Sequence, residues 1–448
     1  MNQADAGLIR DKLLAVLLEA ADAKKAMHQV FLENEAPHLS PKHLKQMGYD
    51  RFHLISIGKA ALPMAEGLLD QFHEVLCGGI LIPKASFEIG HAAWHQRFSI
   101  LPSAHPVPDE RSCIAGKAIF DYLSALSEND FVYYLISGGG SSLVSVPEAD
   151  LALQDLQIVN QLLLDCGASI QEINGIRKHI DKIKGGKLID KTNPAGFCTL
   201  ILSDVLGDPL DVIASGPTVF DRSTFQEAWQ TVEKYALTER LPERVIRYLR
   251  GGVDGIYPET PKAASQDHKY FAPRIIGGNR SALDAACKQA DALGLKPILL
   301  SDHLVGEARD AGTWVIKSAK QYLLNHLEEH GPFCFLAGGE TTVTIQGQGK
   351  GGRNLEMALA VVQPLAEING GYFCAFASDG EDGPTDAAGA WVCTNTNQLA
   401  KEKGLLAEEY LKRNDSYTFF KQMNQLIVTG STGTNVNDIC FLIISLEI

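Results

Sequence analysis

Short apolar runs that each end in a small or acidic residue restrict the fold of this chain more than any other feature. They include 53-HLISIGKAA, 79-GILIPK, 131-FVYYLISGGGSS, 197-FCTLILSDVLGD, 274-RIIGGN, 298-ILLSD, 332-PFCFLAGGE, 371-GYFCAFASDGEDG and 426-LIVTGSTGTN. Helical patterns lie between many of them, as in 151-LALQDLQIVNQLLLDCG, 281-SALDAACKQADALG and 354-NLEMALAVVQPLAE. Strands alternating with helices, with Gly, Ser and Asp at the strand ends, predict an α/β chain with mostly parallel sheets. Ligands in such folds bind beyond the carboxyl ends of the strands, so functional residues are sought just after the apolar runs.

The chain has 448 residues, room for roughly two or three domains at about 150 residues each. The stretch 250-RGGVDGIYPETPKAASQDHKYFAP-273 lacks a sustained apolar period and reads as a linker or exposed excursion. A boundary near residue 265 then gives domains 1–265 and 266–448. The terminal run 439-ICFLIISLEI is a buried strand that either sheet can take.

A formal net charge of -14 argues against a surface that coats nucleic acid, although a few local cations can still reverse the potential of one cleft. The nine cysteines are scattered and never in C-x-x-C spacing, which predicts reduced thiols in a cytoplasmic compartment. The N-terminal stretch carries Asp5, Asp11 and Glu19 through its apolar part and reads as an amphipathic helix, not a secretory signal. No apolar run approaches the roughly 20 residues of a membrane span.

Several strand ends carry candidate chemistry. Ser137, Gly138, Gly139, Gly140, Ser141 and Ser142 can present backbone N–H groups and hydroxyls to a phosphate or carboxylate, or form a tight turn. Asp204, Asp208 and Asp211 can hold Mg²⁺ through water, or cap turns and helices. Asp379, Glu381, Asp382 and Asp386 crowd one glycine-rich loop, and close like charges repel unless a cation or hydrogen bonds compensate them. Their spacing is not that of an EF-hand, so Mg²⁺ with a nucleotide fits better than a calcium loop. Lys59 stands where a strand passes into a helix, and 176-IRKHIDKIKGGK offers cations either to an anion cleft or to a charged surface face.

The histidines say less. His326 and His330, like His91 and His95, share i, i+4 spacing without the glutamate of a zinc helix. His105, before Pro106, meets a substrate or is a packed turn residue. The serine elbow and the Walker phosphate loop are absent.

Gly347, Gly349 and Gly352 stand in G-x-G-x-x-G spacing before a helix-like run. That is the dinucleotide fingerprint when strand, turn and helix fall in place, with Glu367 as a ribose-binding candidate. It supports one alternative, an NAD(P)H-dependent dehydrogenase or reductase. Lys350 and Arg353 in the same turn suit terminal phosphates better than a pyrophosphate on bare backbone. A non-catalytic binder of a small acid is disfavoured by the acids at 379–386.

The runs 137-SGGGSS, 174-NGIRKHIDKIKGGKL, 201-ILSDVLGDPLDVIASGPT, 337-AGGETTV, 351-GGRNLE, 378-SDGEDGPTDAAGA and 429-TGSTGTNVND together resemble the class II glycerate kinases, whose C-terminal part is the MOFRL domain. The resemblance spans about residue 50 to the C-terminus. It implies two α/β domains, a larger Rossmann-like one and a smaller MOFRL one, with the active site in the cleft between them. It further implies ATP- and Mg²⁺-dependent phosphorylation of D-glycerate to 2-phosphoglycerate. The family's two catalytic cations map onto Lys59 and Arg353, and the 137–142 loop with Asn279 and Glu340 onto phosphate and substrate binding. Asp204, Asp208, Asp379 and Asp382 become the candidates for Mg²⁺ or for the hydroxyl proton. Ala104 before His105, where many members have Gly, and Ser142, where Ala is common, depart from the pattern. D-glycerate and ATP are the expected partners, with neither nucleic acid nor membrane, and the oligomeric state is open.

Overall fold

A computed structural model describes residues 3–32, 36–85, 96–264 and 269–445. The chain forms two compact units: Ala23–Ile276 is one, and the residues from Gly277 onward, with the N-terminal helix Gln3–Ala21, are the other. The grouping 1–265 carries that helix with the first domain. In the structure it packs on the helix Asn279–Ala292, Thr434 Oγ1 donates to Ala21 O at 2.5 Å, and Arg10 lies over the Trp391 ring. An apolar stripe calls for a covering surface without saying which sheet provides it.

The first unit holds strands β1 (Arg51–Ile57), β2 (Leu76–Ile82), β3 (Phe98–Ile100), β4 (Asp130–Ser137), β5 (Gly196–Leu202) and β6 (Arg274–Gly277), in the order β3-β2-β1-β4-β5-β6. β1 through β5 pair in parallel. Both faces are covered, so the strands read as unbroken apolar runs rather than alternating ones. Ile55, Ile57, Val132, Tyr134, Ile136 and Ile201 form one core on a single face, while Leu54, Phe131, Tyr133 and Leu135 are as fully buried. Strand order reverses between β1 and β4, which places the crevice of a doubly wound sheet at their carboxyl ends.

The second unit holds β7 (Lys296–Leu304), β8 (Pro332–Gly339), β9 (Gly371–Ala377), β10 (Gly389–Cys393), β11 (Leu426–Ile427) and β12 (Asp438–Ser445), ordered β11-β10-β9-β12-β8-β7. Here β7 and β8 pair in parallel, but β12 runs antiparallel to both β8 and β9. The terminal apolar run is therefore a central strand of this sheet. A run buried on both faces looks the same in either direction, so its sense is not written in its pattern.

The expected linker is largely tied down. Its described part adds to the first sheet: Phe197 N donates to Lys269 O and Phe271 N to Phe197 O. Phe271 meets the Phe131 ring edge-on, and Glu259 and Thr260 bond His179 and Asp221. The boundary placed at residue 265 lies outside the described residues, as do His91 and His95.

Candidate active site

In the first unit the carboxyl ends of β1, β4 and β5 converge. Lys59 follows β1, and its backbone N–H donates to Gly138 O at 2.8 Å. Ala60 N donates to Ser137 Oγ at 3.0 Å, which pins the turn after β1 to the end of β4. The glycines of 137-SGGGSS are demanded by contact. A Cβ on Gly138 would fall 1.7 Å from Asp204 Oδ2, and one on Gly139 would fall 2.9 Å from His105 Cδ2 and 3.1 Å from Lys59 Cγ. Gly139 also has φ +81°, a left-handed conformation that suits glycine. Ser141 Oγ meets Ser215 Oγ at 2.7 Å, and Ser142 Oγ donates to Gly139 O. These hydroxyls fix the loop's shape.

Lys59 Nζ stands 3.8 Å from Asp204 Oδ2, both partly accessible, so the ammonium is held loosely beside the glycine loop. His105 shares this corner. Burial, with the nearby charges of Lys59 and Lys84, pushes its pKa from the ordinary 6.5 down to about 4, so its imidazole is neutral at pH 7. Asp208, at φ +53°, sits four residues beyond Asp204 in the same loop.

The basic run neither lines an open cleft nor forms a solvated face. Lys178 is buried between Asp211 (2.9 Å) and Asp221 (3.0 Å), Lys184 pairs with Asp181, and Lys187 reaches Glu148 at 2.6 Å. Asp211 is thus a partner to a buried cation. Such pairs are costly to break one side at a time, because the remaining charge is left uncompensated.

In the second unit the carboxyl ends of β8 and β9 flank the start of β12. The register sets Asp438 opposite both Gly339 and Ala377, between Glu340 and the acidic loop. Arg353, first residue of the helix Arg353–Ala360, places Nε 2.5 Å from Asp438 Oδ2 and Nη1 2.8 Å from Glu340 Oε1. Burial works against the guanidinium charge, and the two carboxylates more than offset it, so its pKa lies above the usual value. Burial pushes Asp438 up to about 7, opposed by Arg353 and by a hydrogen bond from Asn354. Asn279 Nδ2 donates to the backbone oxygens of Val436 (2.8 Å) and Asp438 (3.1 Å), so this side chain fixes the approach to β12.

Asp382 has another task. Its Oδ1 accepts from Asn354 N and Nδ2, and its Oδ2 from Leu355 N at 2.8 Å, so the carboxylate caps the helix that begins at Arg353. Asp379 Oδ1 accepts from Glu381 N within the loop. Among the described residues, no three His, Cys, Asp or Glu side chains gather as a ready metal cage.

The G-x-G-x-x-G segment is no dinucleotide turn. Twelve residues, Glu340–Gly351, precede the cap at Gly352 where the fingerprint needs a tight turn, and none of its glycines has positive φ. The space their missing side chains leave is filled by the protein itself. A Cβ on Gly347 would meet Arg413 O at 2.2 Å, on Gly349 Asp415 Cβ at 2.4 Å, and on Gly352 Asp382 Cγ at 2.4 Å. The amides at the start of the following helix are already taken by Asp382. Lys350 Nζ lies 4.6 Å over the Tyr417 ring, and Glu367 pairs with Lys320.

Sequence reasoning missed Asp438 as the partner of Arg353 and left His105 undecided. Asp438 closes the run TGSTGTNVND, but only strand pairing brings it to an arginine 85 positions earlier.

Comparison with known proteins is consistent with both halves. A family model described as a domain of unknown function, DUF4147, matches residues 10–250, and the MOFRL family matches residues 333–438. A glycerate 2-kinase of Pyrococcus horikoshii is 37% identical over 436 residues, spanning 97% of this chain and 96% of its own. A protein of Agrobacterium vitis named as a hydroxypyruvate reductase is 39% identical over 393 residues, spanning 87% of this chain and 98% of its own. The crystal structure of a glycerate kinase from Thermotoga maritima superposes with a TM-score of 0.85 at 35% identity, covering 97% of this chain and 98% of that one. Near-complete coverage in sequence and fold shows that the chain belongs to the class II glycerate kinase family, the MOFRL proteins.

Proposed function

We propose that this protein transfers the γ-phosphoryl group of ATP to D-glycerate and releases ADP and 2-phosphoglycerate. The observation that carries the reading is a pair of cations, Lys59 just after β1 beside the glycine loop and Arg353 at a helix start between Asp438 and Glu340. Relatives named as glycerate 2-kinases, similar over nearly the whole chain, support it. The reductase reading loses its sequence basis, because the fingerprint glycines pack against the chain's own backbone.

Phosphoryl transfer needs in-line positioning and cations on the developing charge, with little covalent chemistry from the protein. Lys59 supplies a point charge and Arg353 a planar fork, which suits phosphate or carboxylate oxygens. The glycerate hydroxyl oxygen forms the new bond to phosphorus as the bond to the ADP oxygen breaks, and the hydroxyl proton passes to a carboxylate. Asp204, Asp208 and Asp379 remain for that proton or for Mg²⁺, whereas Asp382 is committed to its helix. Mg²⁺ typically binds one or two carboxylates together with substrate phosphates, so sparse acids fit it better than a full cage would. When bound it neutralises charge on the transferring group. The 137–142 loop, Asn279 and Glu340 shape the anion sites.

No helix among the described residues is long and apolar enough to cross a membrane. No disulfide joins cysteines among the described residues, and the reading is of a cytoplasmic enzyme. ADP release on adding D-glycerate and MgATP, without NADH oxidation on adding hydroxypyruvate, is the expected result. NADH oxidation without ADP release refutes the reading.

A further inference from the structure

We propose that the cleft beside Arg353 in the second unit seats the nucleoside of the phosphoryl donor, an inference that rests on the kinase reading above. The cleft measures about 600 Å³, within the usual range for small-molecule sites, and Arg353 forms part of its wall. Phosphates drawn to Arg353 leave the rest of the donor to lie along this space.

The wall chemistry suits a nucleoside better than the acceptor. Val343, Ile345 and Pro384 give it aliphatic surface, and Ile345 is 80% exposed with its side chain waiting for a cover. Thr341 lines the same space at 2% exposure, and its hydroxyl has no hydrogen-bond partner among the described residues. A buried hydroxyl left unpaired is costly, and a ligand polar group resolves it. D-glycerate, a three-carbon acid, would leave most of the cleft empty. Its carboxylate would also meet the exposed Glu381, with Arg353 as the one cation among the lining residues.

The cleft is built rather than loose. Asn414 accepts from Gln346 N (2.8 Å) and Gly347 N (2.9 Å), and its amide reaches Glu356 Oε2 at 3.0 Å. Arg309 holds the other oxygen of Glu356, so that acid is neutralised inside the protein. Glu381 stays exposed and can accept from a sugar hydroxyl or a base amino group.

Calorimetric titration of MgADP into the full chain tests this without relying on turnover. Ile345→Asp places a carboxylate against the ring, and Thr341→Val keeps the shape while removing the hydroxyl. MgADP affinity should fall at least ~10-fold in Ile345→Asp and about 3-fold or more in Thr341→Val. The D-glycerate KM should stay within about twofold in both, since uniform loss of donor binding does not touch the acceptor. Both variants binding MgADP like wild type, or the glycerate KM moving in place of the nucleotide affinity, overturns the assignment. Weakened MgADP binding in the variants of a chain that never phosphorylates glycerate upholds the cleft and removes the kinase reading. Absence of MgADP binding in the wild type overturns both.

Discussion

Asp438 Oδ2 lies 2.5 Å from Arg353 Nε, so the second cation, at a helix start, is aimed by a carboxylate that arrives on a strand from the far end of the chain. Glu340 holds a different nitrogen of the same guanidinium, which fixes the plane of the fork and leaves its remaining N–H groups for a ligand.

Replacing Asp438 with Asn keeps the shape of the site and removes the charge that orients Arg353. A small misplacement of a catalytic group costs on the order of 10²-fold. Turnover of Asp438→Asn should fall by about that much, with a smaller change in nucleotide KM, as steady-state kinetics will show. A kcat near wild type would mean that Arg353 needs no such partner.

The same carboxyl makes a pH signature. Its ordinary pKa is 3.8, and burial raises it to about 7 in the folded chain. Between those values the folded state keeps a proton that the unfolded state has lost, so stability from this group is full below pH 3.8 and drains away as pH rises to about 7. Activity, which needs the ionised form to hold Arg353, should instead rise through pH 7. Urea unfolding and pH–rate profiles of wild type and Asp438→Asn should differ in both respects.

Lys59 is loosely held at 3.8 Å from Asp204, so its loss should barely disturb the fold. Lys59→Met is expected to lower kcat by about 10²–10³-fold, the scale for removing one charge-stabilising donor, with thermal midpoint nearly unchanged. A matching drop in stability would indicate a structural role.

His105 gives an independent probe of that corner. Its pKa of about 4 arises from burial and from Lys59 and Lys84, so NMR should find a neutral ring at pH 6. The stability it contributes is present above pH 6.5 and lost as pH falls towards 4. In Lys59→Met its pKa should move up towards 6.5, and an unmoved value would separate the two residues.

Gly352 tests the claim that the fingerprint glycines serve packing. Its φ of -148° is open to any residue, so the obstacle is purely steric: Asp382 Cγ at 2.4 Å and its backbone carbon at 2.5 Å from an added Cβ. Gly352→Ala should cost about 1–3 kcal/mol, the range for overpacking, and should lower kcat by displacing Arg353. Calorimetry and kinetics on one preparation decide it.

Much of this was legible in the sequence for a physical reason. Residues just past apolar runs, such as Lys59, the 137–142 loop, Asp204 and Glu340, fall at strand ends because parallel strands deliver their carboxyl ends to one edge. What depends on pairing between distant segments was not legible. The direction of β12, the seat of the N-terminal helix and the meeting of Asp438 with Arg353 all follow from tertiary contacts. Asp382 looked like a metal ligand because four acids share its loop, yet its oxygens serve helix amides that only folding brings within reach. The G-x-G-x-x-G spacing misled in the same way, since its glycines answer to Arg413, Asp415 and Asp382.

The most direct test is ³¹P and ¹H NMR of the product formed from D-glycerate and MgATP. The account predicts 2-phosphoglycerate and ADP in equal amounts, both formed about 10²-fold or more slowly in Lys59→Met and in Arg353→Ala. Formation of 3-phosphoglycerate, or undiminished product from Arg353→Ala, would contradict it.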